Sequence, residues 1–248
     1  VAGELAAFAV SLAHWADVGG AVPGSYVANA TDAWQEGLRI PPLRVFTASG
    51  ADTEKLGVIL ANVRGAPERK GDILAQVAAT RAAELRVQQI AGQHGAGLLQ
   101  AAMAAIHDRA EAQMRAVISS IPDGEYEGAD WLDDDAGGGG PVAIRVRVRI
   151  AGDGATFDFG DCDSAARGPV NTTPFIAAAS VFYVMKALFG PEIQPSGGCY
   201  RPFEIITRPG TVLDPGPDKP VVGGNHETSQ RIADAVFRAF EAIVPERL

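Results

Sequence analysis

The sequence predicts an α+β fold in which antiparallel strands and hairpins pack against several long helices. Residues 142–150 alternate strictly between apolar and polar side chains, and residues 71–93 and 97–120 are helical in periodicity and rich in alanine. Helices and hairpins also occur in blocks, not in regular βαβ alternation. With 248 residues, of which 47% are hydrophobic, the chain is large enough for a substantial core.

The beginning of the chain is predicted to be mostly loop around two short strands. An apolar run at 5–14 predicts a buried strand. Glycines, prolines and aromatic residues at 19–44 predict loop, with a short strand at 43–46. Asp52 is an N-cap candidate for a helix over 53–64.

Two long helices follow. The helix over 97–120 has apolar residues at steps of three and four, which predicts contact with the core or with another helix. His94 and His107 lie at the start of this stripe or off it, and we predict both at the surface. The stripe consists of Leu99, Met103, Ile106, Ala110, Met114, Val117 and Ile121.

The second half of the chain begins with an acidic, glycine-rich segment. Three aspartates at 133–135 before four glycines at 137–140 predict a flexible, solvated loop, although adjacent carboxylates also suit a cation. The strand over 142–150 then continues through a hairpin turn at 152–154 into a strand over 155–159. Its polar face carries Arg145, Arg147 and Arg149.

The last third is predicted to contain two helices around two short strands. A long apolar helix spans 171–189, and a final helix spans 227–243. Between them lie short strands at 203–207 and 211–213.

Composition narrows the classes of function. A net charge of −9 argues against non-specific binding to nucleic acid or to an anionic membrane. Cys162 and Cys199 form neither a disulfide framework nor a zinc-finger pattern, and they indicate buried small hydrophobic residues. Without a signal peptide or an apolar run of about 18 residues, the sequence predicts a cytoplasmic protein.

The two ends of the chain suggest a piece of a longer protein. The chain begins with Val1 instead of Met, and it stops shortly after the last predicted helix. We therefore expect an internal fragment that forms a single domain over 1–248, with a potential sub-boundary near 122–141.

A histidine, a carboxylate and two glycines lie together directly after the first predicted strand. His14 and Asp17 can face one divalent cation if the chain bends between or after them. Gly19 and Gly20 permit the bend, because glycine enters positive φ at little cost. The alternative is a histidine hydrogen-bonded to its neighbour in a turn. The spacing alone leaves both interpretations open.

Three polar residues are candidates for binding an anion. Arg167 and Asn171 flank the predicted start of the helix over 171–189, where backbone N–H groups favour an anion. Arg201 follows a glycine- and cysteine-containing turn. The alternative is that these residues bond to carbonyl groups of their own turns, and the sequence does not decide between the two.

The order of the motifs resembles that of the hydantoinase B / 5-oxoprolinase B family over nearly the whole chain. The main motifs are Ala13-His14-Trp15-Ala16-Asp17-Val18-Gly19-Gly20, Gln35-Glu36-Gly37-Leu38-Arg39-Ile40-Pro41-Pro42, Ala61-Asn62-Val63-Arg64, Arg167-Gly168-Pro169-Val170-Asn171, Gly198-Cys199-Tyr200-Arg201-Pro202 and Asn225-His226-Glu227-Thr228-Ser229-Gln230-Arg231.

The resemblance implies the second component of an ATP-dependent hydrolase of cyclic amides, that is, of hydantoins, lactams or 5-oxoproline. A hydantoinase A-type ATPase partner would phosphorylate a carbonyl oxygen, and this component would act on the intermediate with a divalent metal, zinc or manganese. The sequence contains no Gly-x-x-x-x-Gly-Lys-Ser/Thr loop, so we expect the partner to use the ATP. The alternatives are a subunit of an acetone- or acetophenone-type carboxylase and a non-catalytic assembly scaffold.

The resemblance also assigns site residues. His14 and Asp17 would be metal ligands. The chemistry of the proposed reaction adds Glu36 as a base or as a residue that orients His14. Arg39 stands where some members have a histidine, so it leaves the metal site incomplete, and we group it with the substrate-binding candidates. Those candidates are Arg39, Arg167, Asn171 and Arg201. Residues 160–165 depart from the glycine- and serine-rich run that the family has there.

Overall fold

A computed structural model describes residues 5–245. The chain divides into two compact units. Unit 1 comprises Val1–Tyr26 and Glu36–Ala105, and unit 2 comprises Val27–Gln35 and Ile106–Leu248. The predicted sub-boundary near 122–141 lies inside unit 2. The terminal residues 1–4 and 246–248, which suggested a fragment, lie outside the described residues.

The predicted α+β class is confirmed. The helices are α1 (Thr53–Ala61), α2 (Ala66–His94), α3 (Ala96–Ile118), α4 (Pro174–Leu188) and α5 (Ser229–Ala239). The strands are β1 (Phe46–Thr47), β2 (Gly50–Ala51), β3 (Gly124–Leu132), β4 (Val142–Ala151), β5 (Gly154–Asp158) and β6 (Phe203–Ile206). Short 3-10 helices at Ala33–Glu36 and Gly197–Tyr200 and a π-helix at Gly224–Thr228 complete the regular structure of the described residues.

Unit 1 contains the β1–β2 hairpin, α1, α2 and the first part of α3. Asp52 is the N-cap of α1, as predicted, and its carboxylate accepts from the backbone N–H of Lys55. Gly95 ends α2 with a φ of 86°, a conformation in which glycine carries no steric penalty. Among the residues that the structure describes, no helix is both long and apolar enough to cross a membrane.

The predicted buried strand at 5–14 is wrong. Residues 5–14 belong to no strand, and the side chains of Phe8 and Leu12 are 81% and 98% exposed. An apolar run becomes a buried strand only where a neighbouring strand pairs its backbone and another layer covers its side chains. The described part of unit 1 supplies neither to this segment.

Unit 2 contains a four-stranded sheet in the order β3-β4-β5-β6. The first two pairings are antiparallel, and β6 pairs with β5 in parallel. The register places Tyr126, Val148, Phe157 and Ile205 in one row across the sheet. The alternation of side chains along each strand therefore gives the sheet one apolar face and one polar face.

The core of unit 2 lies between the apolar face of the sheet and the helices α4 and α5. Val148 and Phe157 are fully buried in it. Helix α5 packs against β3 and β4, and it approaches the sheet closely at Gly128, where an added Cβ would lie 1.9 Å from the carbonyl oxygen of Ala235. Only glycine at this position allows the helix to lie so close to the strand.

The polar face of the sheet carries the arginines of β4, as predicted. Arg145 forms an ion pair of 2.9 Å with Asp163, and Arg147 forms one of 3.3 Å with Glu127. These exposed pairs account for Arg145 and Arg147 without any ligand.

The remaining differences from the predictions concern β3 and the ends of several elements. The sequence analysis missed β3, because its residues Gly124–Leu132 contain three carboxylates, two glycines and no β-branched side chain. No strand forms at 211–213, where Thr211 makes only isolated bridges. The π-helix occupies the predicted beginning of the last helix, and α5 therefore begins at Ser229.

Candidate functional site

The predicted site residues fall into two groups, each inside one unit. His14, Asp17, Glu36 and Arg39 belong to unit 1, and Arg167, Asn171 and Arg201 belong to unit 2.

In unit 1, Asp17 is the centre of a tight loop, the Asp17 loop, which we define as residues 17–24. Its buried carboxylate accepts at one oxygen from the backbone N–H groups of Gly19 (2.8 Å) and Arg64 (3.1 Å). The other oxygen accepts from the N–H of Gly24 (2.8 Å) and from the guanidinium of Arg64 (3.1 Å). The bond from Gly19, with the other bonds from Arg64 and Gly24, outweighs burial and holds the pKa of Asp17 well below its ordinary value.

Arg64 holds the same loop from its other side. Its guanidinium also donates to the carbonyl oxygens of Gly20 (2.9 Å) and Val22 (2.8 Å). Gly19 has a φ of 89°, and an added Cβ would lie 2.5 Å from the carbonyl oxygen of Asn62. The predicted glycine bend is therefore present, and a carboxylate and a guanidinium fix it.

The segment that contains Glu36 and Arg39 lies beside the Asp17 loop. The N–H of Leu38 donates to the carbonyl oxygen of Val18 at 2.8 Å. Gly37 approaches the same residue so closely that an added Cβ would lie 2.9 Å from that oxygen. Unit 1 thus brings the Glu36 segment to the loop that follows His14, as a shared site requires. Glu36 is half-buried, and Arg39 is exposed.

A divalent metal, which the resemblance implies, does not fit the described arrangement around Asp17. A carboxylate has about four lone-pair positions, and four N–H donors already occupy those of Asp17. His14 is exposed. Across residues 5–245, no three His, Cys, Asp or Glu side chains form a group that could hold a metal ion. Metal ligation by His14 and Asp17 stays a prediction, and it requires the metal to replace Arg64 at Asp17.

In unit 2, three loops meet at what we call the three-loop junction, formed by residues 135–139, 166–172 and 220–228. Asp135 is buried, and its carboxylate accepts from the N–H groups of Gly137 (2.8 Å), Gly139 (2.6 Å) and Arg167 (3.1 Å). Burial acts to raise the pKa of Asp135, but these N–H groups together lower it below its ordinary value. The segment that we predicted to be flexible and solvated therefore has a buried, ionised anchor.

Asn171 is the second anchor of the junction. Its amide nitrogen donates to the carbonyl oxygens of Ala166 (3.1 Å), Gly168 (3.0 Å) and Pro220 (3.1 Å). Its amide oxygen accepts from the N–H of Ala166 at 2.8 Å. The side chain is fully buried and uses both of its polar atoms on the backbone. Asn171 thus holds two loops together, and a role in contacting substrate stays a prediction.

The third loop of the junction is the segment that enters α5. The N–H of Gly223 donates to the carbonyl oxygen of Pro169 at 2.9 Å, and the hydroxyl of Thr228 donates to that of Val170. An added Cβ at Gly224 would lie 2.2 Å from the carbonyl oxygen of Asn171. This segment contains the π-helix Gly224–Thr228, a local geometry that is frequent at functional sites.

Arg167 presents an exposed side chain on this fixed backbone. Within residues 5–245, its guanidinium has no recorded hydrogen bond or ion pair, although its backbone N–H is bonded to Asp135. It therefore offers a complete set of donors to an anion.

Arg201 is in a different situation. Its guanidinium contacts the carboxylates of Asp108 (3.1 Å) and Glu111 (3.0 Å) on α3. Arg115 and Arg201 together hold the pKa of Glu111 below its ordinary value. His107, which we predicted at the surface, is half-buried and accepts from the N–H of Gly198 at 3.1 Å. Binding of substrate by Arg201 stays a prediction, and it would compete with these two carboxylates.

Sequence reasoning missed the anchors of both sites. Arg64 and Thr228 lie in the quoted motifs but received no role, and Asp135 was treated as part of a solvated acidic run. The glycines that follow Asp17 and Asp135 were the available signal, because a carboxylate before glycine turns often accepts backbone N–H groups.

The comparison with known families decides the identity of the chain. Residues 1–248 match the family model described as hydantoinase B/oxoprolinase. The chain belongs to this family.

The names of two similar curated proteins agree with this assignment. The chain is 29% identical to caprolactamase subunit beta of Pseudomonas jessenii, over 99% of this chain and 42% of the relative. It is 28% identical to 5-oxoprolinase of Dictyostelium discoideum, over 97% of this chain and 19% of the relative. The chain thus spans less than half the length of these curated relatives.

Two solved structures share the fold. The ATP-dependent caprolactamase from Pseudomonas jessenii superposes with a TM-score of 0.87 and 28% identity, over 95% of this chain and 41% of that chain. The nucleotide-free acetone carboxylase superposes with a TM-score of 0.81 and 15% identity, over 95% of this chain and 33% of that chain. The second likeness concerns the fold alone.

Proposed function

We propose that the protein is the B component of an ATP-dependent hydrolase of cyclic amides and acts on an intermediate that a hydantoinase A-type ATPase partner has phosphorylated. The main support is the similarity to caprolactamase, which extends over nearly the whole chain in both sequence and fold. The name of that relative, subunit beta, supports a partner subunit for this chain as well. We place the reaction in the cytoplasm, where ATP is available.

The chemistry requires a residue that recognises an anion. An amide carbonyl is a poor electrophile, and phosphorylation of its oxygen makes a good leaving group that carries negative charge. A guanidinium binds phosphate or carboxylate through two parallel N–H donors. Arg167 has its guanidinium exposed and without a recorded partner among the described residues, so we assign it to this anionic group.

We assign the groups near the Asp17 loop to the hydrolytic step. Glu36 lies in the segment that contacts this loop and is half-buried, which suits a base. Binding of zinc or manganese at His14 and Asp17 would require the metal to replace Arg64 at the Asp17 carboxylate, so no step of this proposal depends on it. This assignment of the metal rests on the family resemblance.

The test uses the full-length protein together with its A-type partner. Release of phosphate and of the ring-opened product is measured with ATP and caprolactam, 5-oxoproline or a hydantoin as substrate. The ring-opened product is an amino acid for the two lactams and an N-carbamoyl amino acid for the hydantoin. We expect ring opening of one of these substrates that depends on ATP and on both components. The matched control omits the B component.

Two other outcomes would overturn the proposal. Consumption of acetone or acetophenone that requires bicarbonate, without any ring opening, would establish the carboxylase alternative. No turnover of either substrate class by a stably assembled complex would favour the scaffold.

A further inference from the structure

The main chain around Arg167 is fixed on both sides, whereas its side chain is exposed. Asn171 binds the N–H and the carbonyl oxygen of Ala166 and the carbonyl oxygen of Gly168. Asp135 binds the N–H of Arg167 itself. The peptide group that precedes Arg167 is thus held at its carbonyl oxygen by Asn171 and at its N–H by Asp135, and an anion that binds there would need to order mainly the guanidinium.

The loop that contains Asp135 and the loop that contains Arg167 are in direct backbone contact. An added Cβ at Gly168 would lie 1.7 Å from the carbonyl oxygen of Asp135, and one at Gly137 would lie 2.8 Å from the nitrogen of Gly168. The loop of Asp135 therefore lies directly against the backbone that carries Arg167. We expect a shift of the Asp135 carboxylate to move this backbone.

The charge of Asp135 is stabilised without the guanidinium of Arg167. Its carboxylate accepts from three backbone N–H groups, and the described residues show no ion pair between the two side chains. An Asp–Arg ion pair would have occupied the donors of Arg167 and opposed an incoming anion. Asp135 fixes the backbone and leaves these donors available.

We infer that Asp135 is a positioning residue that holds Arg167 in place to bind the phosphate or carboxylate group of the intermediate. This inference rests on the proposed function, because it takes the anion site at Arg167 as given. Asp135 contacts no substrate, and its effect passes entirely through Arg167.

The test is a double-mutant cycle in the full-length protein with its partner. The variants are Asp135→Asn, Arg167→Gln and their combination. Binding of inorganic phosphate is measured by calorimetry, and KM and kcat are measured with the cyclic amide. Asp133→Asn is the matched control, because it removes the same charge from an exposed position in the same loop.

We expect Asp135→Asn to weaken phosphate binding about tenfold and to raise KM about tenfold, which is the effect of losing one charge-assisted hydrogen bond. The control Asp133→Asn should change phosphate binding and KM by less than about twofold. In the Arg167→Gln background, Asp135→Asn should have an effect of less than about twofold, because the group that it positions is gone. Equal effects in both backgrounds would overturn the inference and would assign Asp135 a general structural role.

Two further results distinguish a failure of the inference from a failure of the proposed anion site. If Arg167→Gln changes neither phosphate binding nor KM, the anion site and the inference both fail. If Asp135→Asn does not fold, the cycle is repeated with Gly139→Ala, whose methyl group would lie 2.5 Å from a carboxylate oxygen of Asp135 and would displace it without removing its charge. The inference then requires that the effect of Gly139→Ala on phosphate binding is lost in the Arg167→Gln background.

Discussion

The substitution Asn171→Asp tests the junction of unit 2 with almost no change in side-chain volume. It replaces an NH₂ group that donates to three carbonyl oxygens by an oxygen atom, and it keeps the acceptor for the N–H of Ala166. The side chain is fully buried, so water cannot replace the lost donors. The affected carbonyl groups are those of Ala166, Gly168 and Pro220.

The free energy of unfolding should fall by about 3–5 kcal/mol. Two N–H donors are lost, at about 1 kcal/mol each, and burial of carbonyl groups without a donor adds about 1–3 kcal/mol. That is a large part of a domain stability of about 5–15 kcal/mol. Urea unfolding of the full-length protein, followed by circular dichroism, measures the change.

The pH dependence of the stability of Asn171→Asp gives a second, independent measurement. The carbonyl oxygens around position 171 disfavour a carboxylate, so the pKa of the introduced aspartate should be raised in the folded state. A raised carboxyl pKa destabilises the folded state as the pH rises above the unfolded value of about 3.9. The loss in free energy of unfolding that Asn171→Asp causes should therefore be smaller below about pH 4 than at pH 7.

The control for this experiment is Asn225→Asp, the same chemical change at an exposed position of the same junction. We expect it to alter the free energy of unfolding by less than about 0.5 kcal/mol. A loss below about 1 kcal/mol for Asn171→Asp, or the same loss at both positions, would refute the view that Asn171 holds the loops together.

Three further predictions concern other parts of the molecule. Asp17→Asn should lower the melting temperature at pH 7, because the lowered pKa of Asp17 contributes stability that is fully present above about pH 4. The loss should shrink only as the pH falls from about 4 towards the strongly lowered pKa, so an equal loss at pH 7 and at about pH 2 would contradict this. Gly128→Ala should destabilise the protein by about 1–3 kcal/mol in chemical denaturation, because the added methyl group overpacks against α5. The control Gly57→Ala in α1, which has open space around it, should stabilise the protein by about 0.5–1 kcal/mol. Similar effects of the two substitutions would show that α5 does not approach β3 closely. If a zinc or manganese ion replaces Arg64 at Asp17, His14→Ala should lower the content of that metal in the full-length protein by about tenfold in elemental analysis, and an unchanged content would remove His14 from the metal site.

Most helices and the central hairpin of unit 2 were predictable because their patterns are local. The alternation in β4 is visible within one segment, and the structure places it where the pattern indicates. The stripe of α3 is confirmed at Ala110 and Met114, which are buried, whereas Ile106 is 57% exposed and Ile121 lies beyond the end of the helix. The first segment shows the limit of this approach, because its apolar run has the composition of a strand but no sheet partner in the described residues. Strand β3 shows the opposite case, in which pairing with β4 overrides a poor local propensity.

By itself, the sequence determined the family, the α+β class and the positions of most elements, because ordered motifs and periodicity are properties of neighbouring residues. Only the tertiary structure decided what the polar site residues contact. Asp17 and Arg64 are 47 positions apart, Asp135 and Arg167 are 32 apart, and Asn171 and Pro220 are 49 apart. A buried carboxylate or amide takes its partners from whichever backbone the fold brings within about 3 Å, and no local pattern records that distance.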